Sequence, residues 1–528
     1  MSFPLRCDKS STMIWTRVIV LILALALQAG CTGGGSGSTT PTASWEKFRH
    51  DLGNTGVGIG GVVKNPGGTP TPVSILWSTK IDNNPISASP AIGINNTLFV
   101  GSEGGILAAL NLSDGTSVWP SSVDSCGACP STSACNPPPD TGLGTLISSP
   151  AVYNNNNGTN IAVASKEGNI YAFQFSTNNN PVCVFCFQPA CTDSTLPQGA
   201  HVSFISSPNF TINPNTFNVA GVFIGAVVTD GSGNTSGRLY ALNANGSIKW
   251  QFPRVAPPAS PTPTAGVGTP TPTPGQPSTI GAITSSPAIG LGSTVYFTTD
   301  DGFLYALTSS GNFLWRTELA GGADVSVAPS AVANATNIIA SSANGVILAL
   351  NTDGSASWGS DATSGDGFAS SLAVGPPAQT PSPTPGSPTP VPLTPTLTPV
   401  PGTSLTVVVG VRTSGRITLI DAATGVPMPF LVRTPIAACA TPRPNERQLC
   451  SSPALSSDGY IIVGDQDGLL HAISTLDGAE PNPWNFPIAL VPNAQATPAP
   501  IRSSPALDGN GVAYVGSDDG YVYAVGPK

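Results

Sequence analysis

A phrase of three or four short strands recurs eight times along the sequence, and it limits what the chain can fold into. One clear copy consists of SSPA at 503–506, VAYV at 512–515, DG at 519–520 and VYAV at 522–525. A unit this short cannot bury both of its own faces, so it has to pack against its neighbours. A repeat of this length therefore predicts a propeller or a solenoid.

The spacing of the copies favours a propeller. The two closest copies, at Pro287 and Pro329, are 42 residues apart, and a four-stranded propeller blade takes roughly 40–45 residues. Wider spacings elsewhere indicate insertions between strands and not missing blades. The copies begin at Ser89-Pro90, Ser149-Pro150, Ser207-Pro208, Ser286-Pro287, Ala328-Pro329, Ser371-Leu372, Ser452-Pro453 and Ser504-Pro505.

The parts of the phrase predict how each blade is built. Proline cannot donate to a strand ladder, so its place at the start of a copy fits the first, innermost strand. Dipeptides such as Asp301-Gly302 predict tight turns between the second and third strands. A small alanine recurs on the third strand of seven copies, which indicates a close approach between blades. An aromatic residue ends the fourth strand in five copies, as Trp119, Trp250, Trp315, Trp358 and Trp484.

The last copy lacks a fourth strand, and a segment near the start of the chain can supply it. The eighth copy reaches Lys528 directly after its third strand, whereas ILWS at 75–78, with Trp77, precedes the first copy. We expect these residues to pair with 521–525, because closure of the ring removes an exposed sheet edge. The sequence thus predicts an all-β, eight-bladed propeller of four-stranded antiparallel blades, closed by an N-terminal strand that completes the last blade.

These repeats resemble the pyrroloquinoline-quinone (PQQ)-type β-propeller repeat. The stretch from Ala109 through Asp114-Gly115 to Trp119 resembles that family's tryptophan-docking motif, in which the indole packs against the next blade. The lead-in from Trp45 to Gly56 resembles that of exported members, among them the BamB-like outer-membrane assembly lipoproteins. The resemblance covers about residues 45–528, although copy two lacks a tryptophan and copy six offers Phe430. It implies blade-packing roles for Trp77, Trp119, Trp250, Trp315 and Trp358.

The N-terminus has the pattern of an export signal. Basic residues precede an apolar stretch at 18–27, which is too short to cross a bilayer core that needs ~20 residues. The stretch ends in LQAGC, and small residues just before a cysteine resemble a bacterial lipoprotein processing site, with Cys31 acylated. The alternative is ordinary cleavage near Ala29 and release of a secreted protein.

The predicted organisation follows from this signal and from composition. Residues 1–30 are a signal peptide, 31–44 a flexible Gly/Ser/Thr tether, and 45–528 the propeller. Two Pro/Thr-rich insertions, at 253–279 and 376–402, are predicted to be extended spacers, or alternatively wall-spanning or glycosylated segments. We expect an exported, membrane-anchored lipoprotein that faces the periplasm or the cell surface.

The remaining cysteines suggest disulfides, because the compartment is oxidising. Cys439 and Cys450 are expected to bridge a short loop. The other two groups each hold an odd number, so at least one bridge has to link them if all six pair. Zinc or an iron–sulfur cluster is the alternative for the Cys-x-x-Cys spacing. These two groups are Cys126, Cys129, Cys135 and Cys183, Cys186, Cys191.

The cysteines also indicate which face of the propeller binds partners. In up-and-down blades the connections between blades lie on the same face as the turns between the second and third strands. All three cysteine groups and the first Pro/Thr insertion fall in or beside such connections, whereas the second insertion falls on the other face. Rigid scaffolds carry function on elaborated loops, so a partner is predicted to bind the cysteine-bearing face.

Little in the sequence indicates catalysis. PQQ dehydrogenases bind the quinone and calcium beside two adjacent cysteines, and this chain has no such pair and no calcium-ligand set that we could match. His471 stands where other copies have tyrosine and is expected to be packed. Acidic residues at turns are attributed to turn chemistry, or alternatively to a carboxylate ring for a hard cation. They are Glu103, Glu167, Asp301, Asp467 and Asp519.

The sequence therefore predicts a non-catalytic propeller of the cell envelope that needs no cofactor. Its expected partners are envelope proteins, bound for outer-membrane or surface assembly, and the membrane through the lipid anchor. Only 9% of residues are charged, the net charge is −9 and no basic patch occurs, which excludes nucleic acid as a partner. The alternatives are a PQQ-dependent dehydrogenase and a surface adhesion or glycan-binding module.

Overall fold

The computed structural model describes much of the chain from Asp51 onward. The chain divides into two compact units, Met1–Pro41 and Thr42–Lys528, and the second unit contains all of the described residues. These residues are 51–528 without 52–53, 55, 59–71, 94–95, 120–141, 156–157, 176–180, 213–218, 255–275, 320–331, 334–336, 343–344, 361–366, 369, 376–406, 429–435, 438–450, 476–477, 481–485 and 495.

Eight separate antiparallel sheets form the blades of a β-propeller, which confirms the predicted fold. In chain order the elements are β1 (Val73–Lys80); blade 1, β2 (Ala91–Gly93), β3 (Thr97–Gly101), β4 (Leu107–Asn111); blade 2, β5 (Ala151–Asn155), β6 (Gly158–Ala164), β7 (Ile170–Phe175), β8 (Pro181–Phe187); then α1 (Pro189–Thr192) and β9 (His201–Ser203); blade 3, β10 (Asn209–Ile212), β11 (Val219–Thr229), β12 (Thr235–Leu242), β13 (Ile248–Phe252); blade 4, β14 (Ala288–Ile289), the 3-10 turn Leu291–Ser293, β15 (Val295–Thr298), β16 (Phe303–Leu307), β17 (Phe313–Glu318); blade 5, β18 (Val332–Ala333), β19 (Ile338–Ser341), β20 (Ile347–Leu350), β21 (Ala356–Ser360); blade 6, β22 (Ala373–Gly375), β23 (Val407–Val411), β24 (Ile417–Asp421); blade 7, β25 (Ala454–Leu455), β26 (Tyr460–Gly464), β27 (Leu469–Ser474), β28 (Ile488–Ala489); and blade 8, β29 (Ala506–Leu507), β30 (Ala513–Gly516), β31 (Tyr521–Pro527).

Not every blade has four regular strands. In blades 1 and 6 the fourth limb is reduced, within the described residues, to single bridges, Leu110 with Ser117 and Ile420 with Pro427. In each blade the residue after the bridge still donates to the third strand, as Val118 N–H does to Ala109 O and Met428 N–H does to Leu419 O. Blade 3 gains a fifth strand, because β9 pairs with the end of β11.

The ring closes as the sequence predicts. β1 pairs antiparallel with β31, from Val73 opposite Pro527 to Lys80 opposite Tyr521, and so becomes the fourth strand of blade 8. The last sheet is therefore built from both ends of the propeller, and β31 is paired on both sides.

The hydrophobic core lies between blades. Each cluster of buried side chains draws on two neighbouring sheets, or on three in the cluster that joins blades 7, 8 and 1, as where Phe223 and Ala241 of blade 3 meet Phe297 and Tyr305 of blade 4. Stacked faces bury what a single blade cannot, at ~25 cal/mol per Å² of apolar surface. This packing confirms that the repeat gains its stability from its neighbours.

A belt of serines joins the first strands around the axis. The serine before the proline of the repeat donates its backbone N–H to the hydroxyl of the matching serine in the next blade, so the first strands are the innermost ones. The bonds, N to Oγ, are Ser89–Ser149 at 2.9 Å, Ser149–Ser207 at 3.0 Å, Ser207–Ser286 at 2.9 Å, Ser371–Ser452 at 3.0 Å, Ser452–Ser504 at 3.0 Å and Ser504–Ser89 at 2.9 Å.

The other serine of the Ser-Ser-Pro phrase acts within its own blade. Its hydroxyl accepts a backbone N–H from the second strand, as Ser285 does from Thr298 and Ser503 does from Gly516. Two adjacent hydroxyls thus have different partners, one in the same blade and one in the blade before it. This division explains why the phrase needs two serines.

The outer part of each blade docks on the next through an aromatic ring and a glycine. In four blades the indole Nε1–H donates to a carbonyl in the following blade's turn between its third and fourth strands. The pairs are Trp77–Leu112 at 2.9 Å, Trp250–Ser309 at 3.0 Å, Trp315–Thr352 at 3.0 Å and Trp358–Ala422 at 2.9 Å. The glycine under each ring leaves no room for a Cβ, at Gly115, Gly311, Gly354 and Gly425.

We expect this docking to be measurable with two matched glycines. Gly354 and Gly233 both occupy turns with φ of 85°, so alanine costs roughly 1–2 kcal/mol at either from the backbone alone. A Cβ on Gly354 would lie 2.6 Å from Trp315 Cδ2, whereas one on Gly233 would meet nothing within 4 Å. Gly354→Ala should therefore lower the free energy of unfolding by about 2 kcal/mol more than Gly233→Ala. Equal losses in urea titrations would contradict the docking role.

Candidate functional site

The two faces of the propeller differ in how much chain they carry. We call the face with the turns between second and third strands, and with the connections between blades, the cysteine-bearing face. Connections lie against these turns, as Ile86 N–H bonds Ser517 O and Glu103 N–H bonds Pro85 O. The opposite face holds the turns between first and second and between third and fourth strands.

The junction of blades 2 and 3 is the most elaborated part of the cysteine-bearing face among the described residues. The connection there contains α1 and β9, and the hairpin of β11 and β12 runs past the other strands to a turn at 230–234. β9 pairs with the end of that hairpin, with His201 opposite Thr229. Gln198, His201 and Ser232 are exposed at its surface. Together α1, β9 and the hairpin of β11 and β12 form a projection from this face, which we call the ledge.

Cysteines lie at the base of this ledge. A bulge in β8 places Cys183 opposite Phe173 and Cys186 opposite Tyr171, so that both cysteines face blade 1. These two and Cys191 are each disulfide-bonded. Three bonded sulfurs cannot all pair with one another, so at least one bridge leaves this group. The remaining predicted cysteines lie outside the described residues: Cys31, Cys126, Cys129, Cys135, Cys439 and Cys450.

A buried polar cluster fastens α1 to blade 3. The Asp193 carboxylate follows the helix and accepts hydrogen bonds from Tyr240 Oη at 2.9 Å, Gln251 Nε2 at 3.1 Å and Thr195 Oγ1 at 2.6 Å. Burial, and then the nearby carboxylate, raise the pKa of the Tyr240 hydroxyl, which stays protonated and keeps donating. This cluster makes the ledge part of the blade.

The turn acids hold connections in place. Glu103 accepts from Ser87 Oγ at 2.9 Å, Glu167 from Thr145 N–H at 2.7 Å, and Asp301 from Gly281 N–H at 2.8 Å. Asp519 accepts from the Tyr523 hydroxyl at 2.5 Å, and Asp467 is exposed. Within the described part of the chain no three His, Cys, Asp or Glu side chains gather as a metal-binding group. The acids thus fit turn chemistry better than a cation ring.

His471 forms a buried charged group in blade 7. Its Nε2 lies 3.1 Å from Asp465 Oδ2 and its Nδ1 lies 2.8 Å from Glu480 Oε1, with the ring fully buried. Burial alone would lower the pKa of His471, but the hydrogen bonds and charges of both carboxylates raise it to about 9. Burial likewise opposes ionisation of Asp465, whose pKa is nevertheless held below its ordinary value by His471.

Described residues of the lead-in lie against the wall of the central channel. Asn54 is buried and donates from Nδ2 to Ser286 O at 3.2 Å and Pro287 O at 3.1 Å, at the start of the first strand of blade 4. Val57 forms a parallel bridge with Leu455 at the end of β25. A Cβ on Gly58 would lie 2.8 Å from Leu507 Cβ. The lead-in therefore touches the first strands of opposite blades.

The predicted blade-packing tryptophans share one setting. Trp77, Trp250, Trp315 and Trp358 lie on the next blade's turn. Trp119 packs on Phe99 of its own blade with ring centroids 5.6 Å apart, as Trp250 packs on Phe223 at 5.6 Å, and the turn of blade 2 at 176–180 lies outside the described residues. Trp484 and Phe430 fall outside the described residues. None of the described helices is long and apolar enough to cross a membrane.

Sequence patterns did not reveal three of these features. Phe185 lies opposite Ala172, and its ring covers Gly246 of the next blade. Phe185 therefore takes the docking position in copy two, which has no tryptophan. The usable signal was an aromatic residue on the fourth strand. The serine belt could have been predicted, because seven copies have a serine at one fixed position. No pattern in the sequence indicated that Asn54 reaches the channel wall.

Comparisons with known proteins agree with this architecture. The family model described as outer membrane protein assembly factor BamB matches residues 235–528, more than half of the chain. The chain belongs to this family. No curated protein sequence matches it.

Two of the similar solved structures have TM-scores above 0.5 and share the fold. Quinohemoprotein alcohol dehydrogenases from Comamonas testosteroni and from Pseudomonas putida HK5 are 13% and 12% identical and each has a TM-score of 0.53. Each alignment covers 92% of this chain and 81% or 80% of the other. BamB from Moraxella catarrhalis is 15% identical with a TM-score of 0.49, over 86% of this chain and 99% of that one. At these identities the likeness concerns the fold alone.

The charge of His471 makes stability depend on pH. Because its pKa is raised in the folded protein, the stabilisation is fully present below pH 6.5 and is lost as pH rises through about 9. The loss amounts to roughly 3 kcal/mol. The double variant His471→Tyr, Asp465→Ser introduces the residue types that blade 8 has as Tyr523 and Ser517. Urea titrations at pH 6.5 and 9 should show the loss in the wild type and little of it in the double variant.

Proposed function

We propose that this chain is a non-catalytic propeller of the cell envelope that binds a protein partner through its cysteine-bearing face. The observation that carries the proposal is the ledge at the junction of blades 2 and 3. It adds a helix, a strand and a long hairpin to one face, the buried Asp193 cluster fixes it to blade 3, and the bonded Cys191 lies in its helix. A rigid surface that loses little freedom on binding favours association with another protein.

Membership of the BamB family supports the envelope setting. The family description names outer-membrane assembly, and the N-terminal sequence has the pattern of a lipoprotein signal. We propose that Cys31 carries the lipid and holds the propeller at the membrane. Cys126, Cys129 and Cys135 are proposed to supply bridges to Cys183, Cys186 and Cys191, which would fasten the connection between blades 1 and 2 to the same ledge.

The dehydrogenase alternative has less support. A quinone and a calcium ion on the channel axis would compete with the lead-in, since Asn54 and Val57 bond to the channel wall. The sequence offers no adjacent cysteine pair, and the described residues do not supply a three-ligand metal group. The described residues of the channel thus do not fit PQQ and calcium. A quinone absorbance that persists after gel filtration, following incubation with PQQ and calcium, would overturn this conclusion.

Site-specific photo-crosslinking in intact envelopes tests the proposal. The crosslinking residue benzoylphenylalanine replaces Gln198 or Ser232, which are exposed on the ledge, or Ser457, which is exposed on the opposite face. We expect a discrete crosslinked protein from the first two positions and none from Ser457. Mass spectrometry then identifies the partner.

The crosslinker at position 457 is the control for capture by random collision. All three positions are in turns or loops with exposed side chains, so a partner that collides at random would be captured from each. Equal capture from Ser457, or capture only from Ser457, would contradict binding at the cysteine-bearing face. Glycan capture on an array, without any crosslinked protein, would favour the adhesion alternative.

A further inference from the structure

The lead-in passes through the channel in a defined direction. Asn54 contacts the carbonyls of Ser286 and Pro287, which stand at the start of their blade's first strand, on the side of the cysteine-bearing face. Val57 and Gly58 contact Leu455 and Leu507, each the last residue of its first strand, on the side of the opposite face.

Two further observations agree with this direction. The bridge between Val57 and Leu455 is parallel, so the lead-in runs the same way as β25, from the cysteine-bearing face to the opposite one. β1 begins with Val73 opposite Pro527, the far end of β31, which is again the opposite face. The described residues of the lead-in therefore run from the cysteine-bearing face toward the opposite one, where β1 begins.

The lead-in is shaped for this path. Asn54 and Gly56 have φ of 59° and 69°, values that asparagine and glycine tolerate. Gly56 O accepts the N–H of Leu455, and Gly58 donates to Leu455 O at 2.8 Å. Gly375 in turn makes room for Val57, since a Cβ there would lie 2.5 Å from Val57 Cγ2. These contacts hold the lead-in to the wall on both sides of the axis.

From this threading we infer that the cysteine-bearing face is turned toward the membrane. The inference rests on the proposed function, because it uses the lipid at Cys31. Among the described residues the chain approaches the axis, at Asn54, from the side of the cysteine-bearing face. A protein partner embedded in that same membrane would then meet this face. Carboxylates at the turns, such as Glu167 and Asp467, do not favour anionic lipid headgroups as the bound surface.

Chain dimensions support the orientation. About twenty residues separate Cys31 from Asp51, and a random coil of that length would have an r.m.s. span of ~25 Å and a full extension of ~66 Å. A route from the axis around the rim has to cross a four-stranded blade, ~20 Å wide at 4.8 Å per strand, and then the height of a strand, ~17 Å. That path exceeds the r.m.s. span but not the full extension, so a route around the rim would stretch the tether and is less favourable than the direct one.

Fluorescence quenching on vesicles tests the orientation. The full-length lipoprotein carries a fluorophore on Asp467→Cys or on Ser457→Cys, exposed positions of blade 7 on the cysteine-bearing and opposite faces respectively. Vesicles contain lipids with a nitroxide at the headgroup. We expect the label at position 467 to be quenched severalfold more than the label at 457. Equal quenching, or the reverse, in bound protein would overturn the inference.

Two glycine variants test whether the path of the lead-in through the channel causes the orientation. Gly58→Leu cannot fit beside Leu507, whereas a Cβ on exposed Gly231 would meet only Gln198 O at 3.9 Å. We expect Gly58→Leu to bind vesicles but to lose the difference between the two labels, and Gly231→Leu to keep it. If Gly58→Leu does not fold, Asn54→Leu serves the same purpose. A difference that persists in the displaced variant would contradict threading as its cause.

Failure of the lipid anchor is distinguishable from failure of the orientation. If the protein does not bind vesicles at all, the lipid-attachment part of the proposed function is wrong. The mature chain with a histidine tag before Thr32, on nickel-chelating vesicles, then repeats the quenching test from the same end of the chain. Stronger quenching at position 467 than at position 457 again supports the inference, and equal or reversed quenching overturns it.

Discussion

The hydrogen bond from a backbone N–H of one blade to the serine hydroxyl of the next is the contact on which the ring depends. It acts where the first strands meet, and no strand ladder joins them there. Each bond pairs a buried N–H that would otherwise cost about 1–3 kcal/mol. Farther out, an indole or Phe185 rests on a turn glycine of the following blade. Attachment at two radii fixes the angle between neighbouring blades, and a fixed angle decides how many blades close the ring.

The sequence was sufficient for this architecture because the repeat is local. Strand starts, turns and the missing fourth strand of blade 8 all follow from patterns a few residues long, and closure by β1 is confirmed. The docking tryptophans were recognisable for the same reason. Trp119 has the same spacing, since it follows Gly115 as Trp250 follows Gly246, and it has the same ring contact on the second strand of its blade.

Contacts between distant parts of the chain were beyond the sequence for a physical reason. The lead-in binds carbonyls more than 200 residues away, and the groups it recognises belong to the backbone, which every residue has. The ledge cluster likewise joins Asp193 to Tyr240 and Gln251 across two elements. His471 shows the intermediate case. His471 stands where other copies have tyrosine, which indicated that the side chain is packed. Its positive charge depends on Glu480, which lies outside the repeated phrase.

The contacts of the lead-in with the channel wall bear on where a protein of this fold can act. A ligand on the axis would have to displace the Asn54 and Gly58 hydrogen bonds and the packing of Val57, and leave buried carbonyls of Ser286 and Leu455 without these donors. Such exchange is unfavourable unless the ligand offers the same donors at the same places. Surfaces at the rim and on the faces carry no such penalty. The elaboration of one face, rather than the likeness of the whole fold to dehydrogenases, is therefore the feature of this chain from which its function is best argued.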